Sequence, residues 1–142
     1  MNTKMIVAAL VGSVASFLLG WVVWGMLMMP YYEANTVNYP GLFRDEATMR
    51  LWAIYVGQLA WSGLLAYIFS AWANISTFGK GFVGGAIVFG LVSLGINFMM
   101  FAQFNLHTYQ VYIIDTLINV AFGGIVGGII AFVLGYGKKA AA

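Results

Sequence analysis

The chain has 142 residues, of which 63% are hydrophobic and only 7% charged. A soluble domain is about half apolar and about 25% charged, so six Lys/Arg and four Asp/Glu cannot clothe a soluble surface of this size. The composition excludes a soluble fold, a disordered chain and a nucleic-acid binder. With no cysteine it excludes a disulfide scaffold, and a net charge of +2 points to no acidic partner. What remains is an integral protein whose first partner is the lipid bilayer.

A helix needs about 20 residues to cross about 30 Å of hydrocarbon, and four stretches are long enough: 5–29, 49–73, 81–104 and 110–136. Membrane β-strands would alternate apolar and polar residues over about ten positions. These runs are continuous and more than twice that length, so the expected fold is all-α: a single-domain, four-helix membrane bundle over 1–142. The first stretch stops at Pro30 and lacks a small-residue cleavage site, so it reads as a retained span rather than a signal peptide.

Between the spans, loop 30–48 is the longest and carries Tyr31, Tyr32, Tyr39 and Phe43, aromatics suited to a membrane interface. Asp45 is placed to cap the second helix, and Glu46 to pair with Arg50 one turn on. Asn74-Ile75-Ser76 matches a glycosylation sequon, which carries no weight in a cytoplasmic loop. Asn105 is placed to cap the fourth helix. One side of the bundle collects Lys4, Lys80, Lys138 and Lys139 without an acid. The other has Arg44 and Arg50 against Glu33, Asp45 and Glu46. Lysines mark the cytoplasmic side, so both termini are expected there, as an even number of spans requires.

Residues 63–70 resemble 128–135 in character, and Leu19-Gly20 resembles Leu94-Gly95. The pattern predicts two tandem helix hairpins of like orientation. Each span also carries small or polar residues at helical spacing. These are Ala8, Gly12, Ser16 and Gly20; Gln58, Ser62, Ala66 and Ser70; Gly81, Gly85, Gly90, Ser93 and Asn97; and Gly123, Gly127, Ala131 and Gly135. Lipid is as apolar as Leu, so helices in it associate through close small-residue contacts. Gly124 and Gly128 give the fourth span a second small face, enough for a partner helix from a homo-oligomer or another membrane subunit.

Few polar side chains lie at membrane depth. At 1.5 Å per residue, Gln58, Asn97, Asp115 and Asn119 reach similar levels in the outer half, with Trp21 and Trp61 slightly deeper. Asp115 is the one ionisable group well inside a span, and such a group faces protein or water by default. His107, Val111, Asp115, Asn119 and Gly123 follow one another at four-residue spacing, so His107 stands as an outer access point to Asp115. The cluster reads as a register lock, a binding site, or a proton or ion path. Six methionines lie toward the outer ends of the spans, but with a single His they do not make a metal set. No nucleophile motif, zinc motif or phosphate loop is present, so no metal, cofactor or enzymatic activity is expected. An enzyme acting on lipid would have to use Asp115 with His107.

The run from Ala8 to Trp21, the Trp24-Gly25 pair and the second-span end Ala71-Trp72-Ala73-Asn74-Ile75-Ser76-Thr77-Phe78-Gly79 resemble a family of small, uncharacterised four-helix bacterial inner-membrane proteins. The resemblance implies the topology and a bacterial inner membrane, and it brings no site residues. The expected role is structural, as a homo-oligomer or accessory subunit of a membrane complex. The alternative is a small proton-coupled transporter or channel using Asp115.

Overall fold

A computed structural model describes residues 3–137, apart from the side chain of Glu46. The expected pairing of Glu46 with Arg50, and the positions of Lys138 and Lys139, lie outside the described residues. Among the described residues, four helices are long and apolar enough to cross a membrane: Thr3–Leu27, Leu51–Trp72, Phe78–Gln103 and Tyr109–Gly135. They match the four predicted stretches to within a few residues.

The first span is α1 (Thr3–Gly20), which widens into a π-helical turn over Trp21–Leu27. Pro30 has no N–H, and its ring crowds the carbonyl one turn back. The helix therefore opens before it, with the Met28 N–H reaching the Val23 carbonyl at 2.9 Å. Pro30 then sits in the first turn of a short helix, α2 (Met29–Asn35), where the missing N–H costs nothing. Residues 30–35 are therefore helical where the proline-containing sequence predicts a loop.

The second span, α3 (Leu51–Tyr67), also ends in a π-helical turn, Ile68–Trp72. Asn74 stops it at φ +49°, a left-handed conformation that Asn tolerates better than most residues. That, rather than a sequon, is what Asn74 contributes. The third and fourth spans are α4 (Phe78–Gln103) and α5 (Tyr109–Gly135). Both capping expectations fail. Asp45 accepts from Thr48 through its backbone carbonyl while α3 starts later with Arg50 at its N-cap, and Thr108, not Asn105, precedes α5.

Helix α5 is the hub. It packs along α4, and α1 packs on both α3 and α5, whereas α3 and α4 make no extended interface. The α4–α5 seam is made of backbone. Gly81 and Gly85 lie directly against Gly123 and Gly127, and a side chain at any of these would run into the opposite main chain or, at Gly123, into Phe89. The second small face of α5 is taken as well. Phe82 covers Gly124 and Phe78 covers Gly128, so both faces are filled from α4 within one chain. At the junction of α1, α3 and α5, Gly12 admits Ile130 and Ser62, and Ser16 Oγ lies 3.4 Å from Ser62 Oγ. Gly20 is looser than its stripe implied. A methyl group there would sit 3.6 Å from Gln58 Nε2, an ordinary contact.

The hairpin resemblance does not extend to packing. Gly128 is covered by a ring while its counterpart Gly63 faces open space, and Gly95 is likewise open. The chain's start meets the end of its last span, where Lys4 Nζ donates to the Tyr136 carbonyl at 3.0 Å. A cation there also suits the negative end of the helix dipole. We call this the terminal end of the bundle. Loops 28–50 and 104–108 form the distal end.

Candidate functional site: a caged carboxylate beside a membrane cavity

Asp115 sits in the second turn of α5, and four segments converge on it. Oδ1 accepts from Trp24 Nε1 at 3.0 Å and from the Tyr32 hydroxyl at 2.6 Å. Oδ2 accepts from Asn97 Nδ2 at 2.9 Å, from Asn119 Nδ2 at 3.0 Å and, weakly, from Ser93 Oγ at 3.5 Å. Asn119 is held one turn on by the Asp115 carbonyl, 2.9 Å away. Asn97 Nδ2 also lies near Thr116 Oγ1 and the Tyr112 carbonyl, at 3.0 and 3.2 Å. These acceptors orient both amides with their NH₂ groups toward the carboxylate. The indole N–H can only donate. Burial, and then the Asp115 carboxylate itself, push the Tyr32 hydroxyl above the usual phenol range, so it stays protonated and donates too. Every group in the shell donates to the carboxyl oxygens, and no donor in it is charged.

Beside the carboxylate lies a cavity of about 330 Å³. Its polar lining is Gln58, Ser93, Asn97, Asp115 and Asn119, and its aromatic walls are Trp24, Trp61, Phe89 and Phe122. Trp61 meets Phe89 with ring centroids 5.6 Å apart, joining α3 to α4. Elsewhere the two helices make no extended interface, and the cavity is lined from both. Ile96 stands on its rim, 49% exposed. Ile96 therefore borders both the cavity and the outer face of α4. Gln58 Oε1 is buried in this wall without a hydrogen-bond partner.

Of the predicted cluster, Asp115, Asn119 and Asn97 are brought into contact, while Gln58 and Trp61 line the cavity without touching the carboxylate. Trp21 does not belong. It is 64% exposed and lies against Gly25. Trp24 takes the place expected of it, packed edge-to-face on Phe122 at 4.9 Å. The signal for Trp24 was in the sequence, since the stripe Ala8, Gly12, Ser16, Gly20 reaches Trp24 in one more step of four. Tyr32 carried no such signal, because only the fold-back at Pro30 brings it over α5.

His107 lies against the end of α2, with Tyr32 packed between it and Asp115. The chain around it pairs with the end of α2: the Val37 N–H reaches the Leu106 carbonyl at 2.8 Å and the Thr108 N–H reaches the Asn35 carbonyl at 3.1 Å. Thr36 Oγ1 lies 2.7 Å from His107 Nδ1. The imidazole packs against Tyr32 and Tyr112, so the Tyr32 ring stands between His107 and Asp115 and covers the distal route.

Burial lowers the His107 pKa, with the Asp115 charge a smaller opposing influence. A depressed native value means that the unfolded chain binds the extra proton first. The contribution of His107 to stability is therefore full above about pH 6.5 and is lost as pH falls through the lower native value. We expect the melting temperature to fall between pH 7 and 5, and His107→Gln to flatten that slope. An unchanged slope in the variant would assign the pH dependence to another group.

Comparison with protein-family models, with characterised proteins and with solved structures gives no match to this chain.

Proposed function

We propose that this chain is a small multi-pass protein of a bacterial inner membrane that binds a cation at Asp115, as the binding part of a small transporter or channel. Both termini are then cytoplasmic, which the segregation of Lys4 and Lys80 from Arg44, Arg50, Glu33 and Asp45 supports. The observation that carries the reading is a carboxylate caged by uncharged donors on the wall of a cavity. A negative charge at membrane depth is costly and is usually paired. Here the donors hold the carboxylate and leave its charge to act across the cavity, where a cation supplies the balance.

The test is a panel of sodium, potassium, methylammonium and tetramethylammonium added to the purified protein in uncharged maltoside micelles. At least one should raise the melting temperature saturably, and the shift should vanish in Asp115→Asn. If none does so at constant ionic strength, the cation reading falls.

A second reading, a structural subunit of a homo-oligomer or larger membrane complex, is favoured by the way Asp115 ties the first span, α2, α4 and α5 together. A stable assembly recovered from membranes in mild detergent, with no cation effect, would select it.

A further inference from the structure

Resting on the reading of Asp115 as an anionic centre, we propose that the cavity takes the quaternary ammonium head of a singly charged amphiphile. It enters sideways between α3 and α4 and leaves its tail in the lipid.

The head group follows from how the carboxylate is used. A carboxylate offers about four lone-pair positions. Trp24 and Tyr32 take two on Oδ1, and Asn97 and Asn119 take two on Oδ2. What Asp115 has left is charge, not acceptor capacity. A primary ammonium brings N–H groups that need acceptors and would have to evict a donor. A quaternary ammonium brings none. Its N-methyl surface is instead recognised by aromatic faces, and Trp24, Trp61, Phe89 and Phe122 provide the walls.

The tail follows from the opening. Tyr32 and the Thr36–His107 bridge close the distal end over Asp115, while the gap between α3 and α4 faces the hydrocarbon past Ile96. A ligand taking this route is soluble in lipid. The lining holds no Lys or Arg to balance a phosphate, so a monocation fits where a zwitterionic headgroup does not.

The test compares dodecyltrimethylammonium, dodecylammonium and tetramethylammonium, each titrated against the purified chain in maltoside micelles and read by tryptophan fluorescence. We expect saturable binding of dodecyltrimethylammonium at least tenfold tighter than either of the others. Ile96→Trp, which fills the gap from the rim, should weaken that binding at least tenfold without lowering the melting temperature. Ile96→Phe should do so to a lesser degree, keeping the test intact if the larger residue perturbs folding. Equal or tighter binding of dodecylammonium would overturn the quaternary head, and equal binding of tetramethylammonium, or tight binding through a blocked rim, would overturn the lateral route. If no cation binds saturably, the anionic reading of Asp115 fails as well, a result distinct from either of those.

Discussion

Gly127→Leu is expected to unseat α4 from α5 and to destabilise the protein by about 3 kcal/mol or more, at the upper end of what overpacking costs. A Cβ at Gly127 would lie 2.8 Å from the Gly85 Cα and closer still to the Gly81 carbonyl oxygen. Those neighbours are main chain and cannot swing away as the tip of a side chain can. Relief requires translating a whole helix, which strips the contacts of Gly81, Gly85 and Phe89 together. The control is Gly95→Leu on α4, where nothing lies within 4 Å. It should be neutral or slightly stabilising, since glycine costs about 0.5–1 kcal/mol relative to alanine inside a helix. Gly20→Leu belongs between the two, because its nearest neighbour is the flexible Gln58 side chain. Melting temperatures of the three variants in one detergent check the order. Equal tolerance at Gly127 and Gly95 would mean that the α4–α5 seam does not hold the fold.

Asp115→Leu is expected to cost about 2–5 kcal/mol, at about 1–3 kcal/mol for each buried donor left unsatisfied, because it orphans the Trp24 indole N–H and the Tyr32 hydroxyl and takes one acceptor each from Asn97 and Asn119. The less obvious expectation concerns Asp115→Asn. Asparagine has the same shape, and from composition alone it looks like a harmless replacement. The shell makes it otherwise, because every neighbour donates. The new NH₂ group must face either Trp24 and Tyr32, where the hydroxyl can turn to accept but the indole N–H is left short, or the amides of Asn97 and Asn119, which can only donate to it. We expect a cost of about 1–3 kcal/mol, the penalty for an unsatisfied buried group. Pairing the change with Trp24→Phe removes the N–H that opposes it, so the double variant should be more stable than the two single losses predict, by about 1 kcal/mol. An Asn variant as stable as the parent, or strict additivity, would show that the cage is not built for a carboxylate.

The parts of this protein that were legible in the sequence depend on local chemistry. Four spans follow from unbroken apolar runs of the length a bilayer demands, and helix follows because lipid offers the backbone no other partner. The inward faces followed from spacing. Ala8, Gly12, Ser16, Ser62, Ala66, Gly85, Gly123 and Gly127 are all buried, because residues three and four apart share a face whatever they pack against. Depth brought Asp115, Asn97 and Asn119 to one level together with Gln58, Trp21 and Trp61, and did not say which of them meet.

What spacing could not supply was which helix lies beside which. The double small face of α5 allowed a partner from another chain, and only the fold shows Phe78 and Phe82 filling it from α4. Trp21 and Trp24 are equally plausible at membrane depth, and the choice between them depends on which side of α1 faces α5. Tyr32 reaches Asp115 because Pro30 turns the chain back over the bundle, a long-range consequence of one missing N–H. The cavity exists because α3 and α4 are not neighbours along most of their length, and no property of either helix alone encodes that separation.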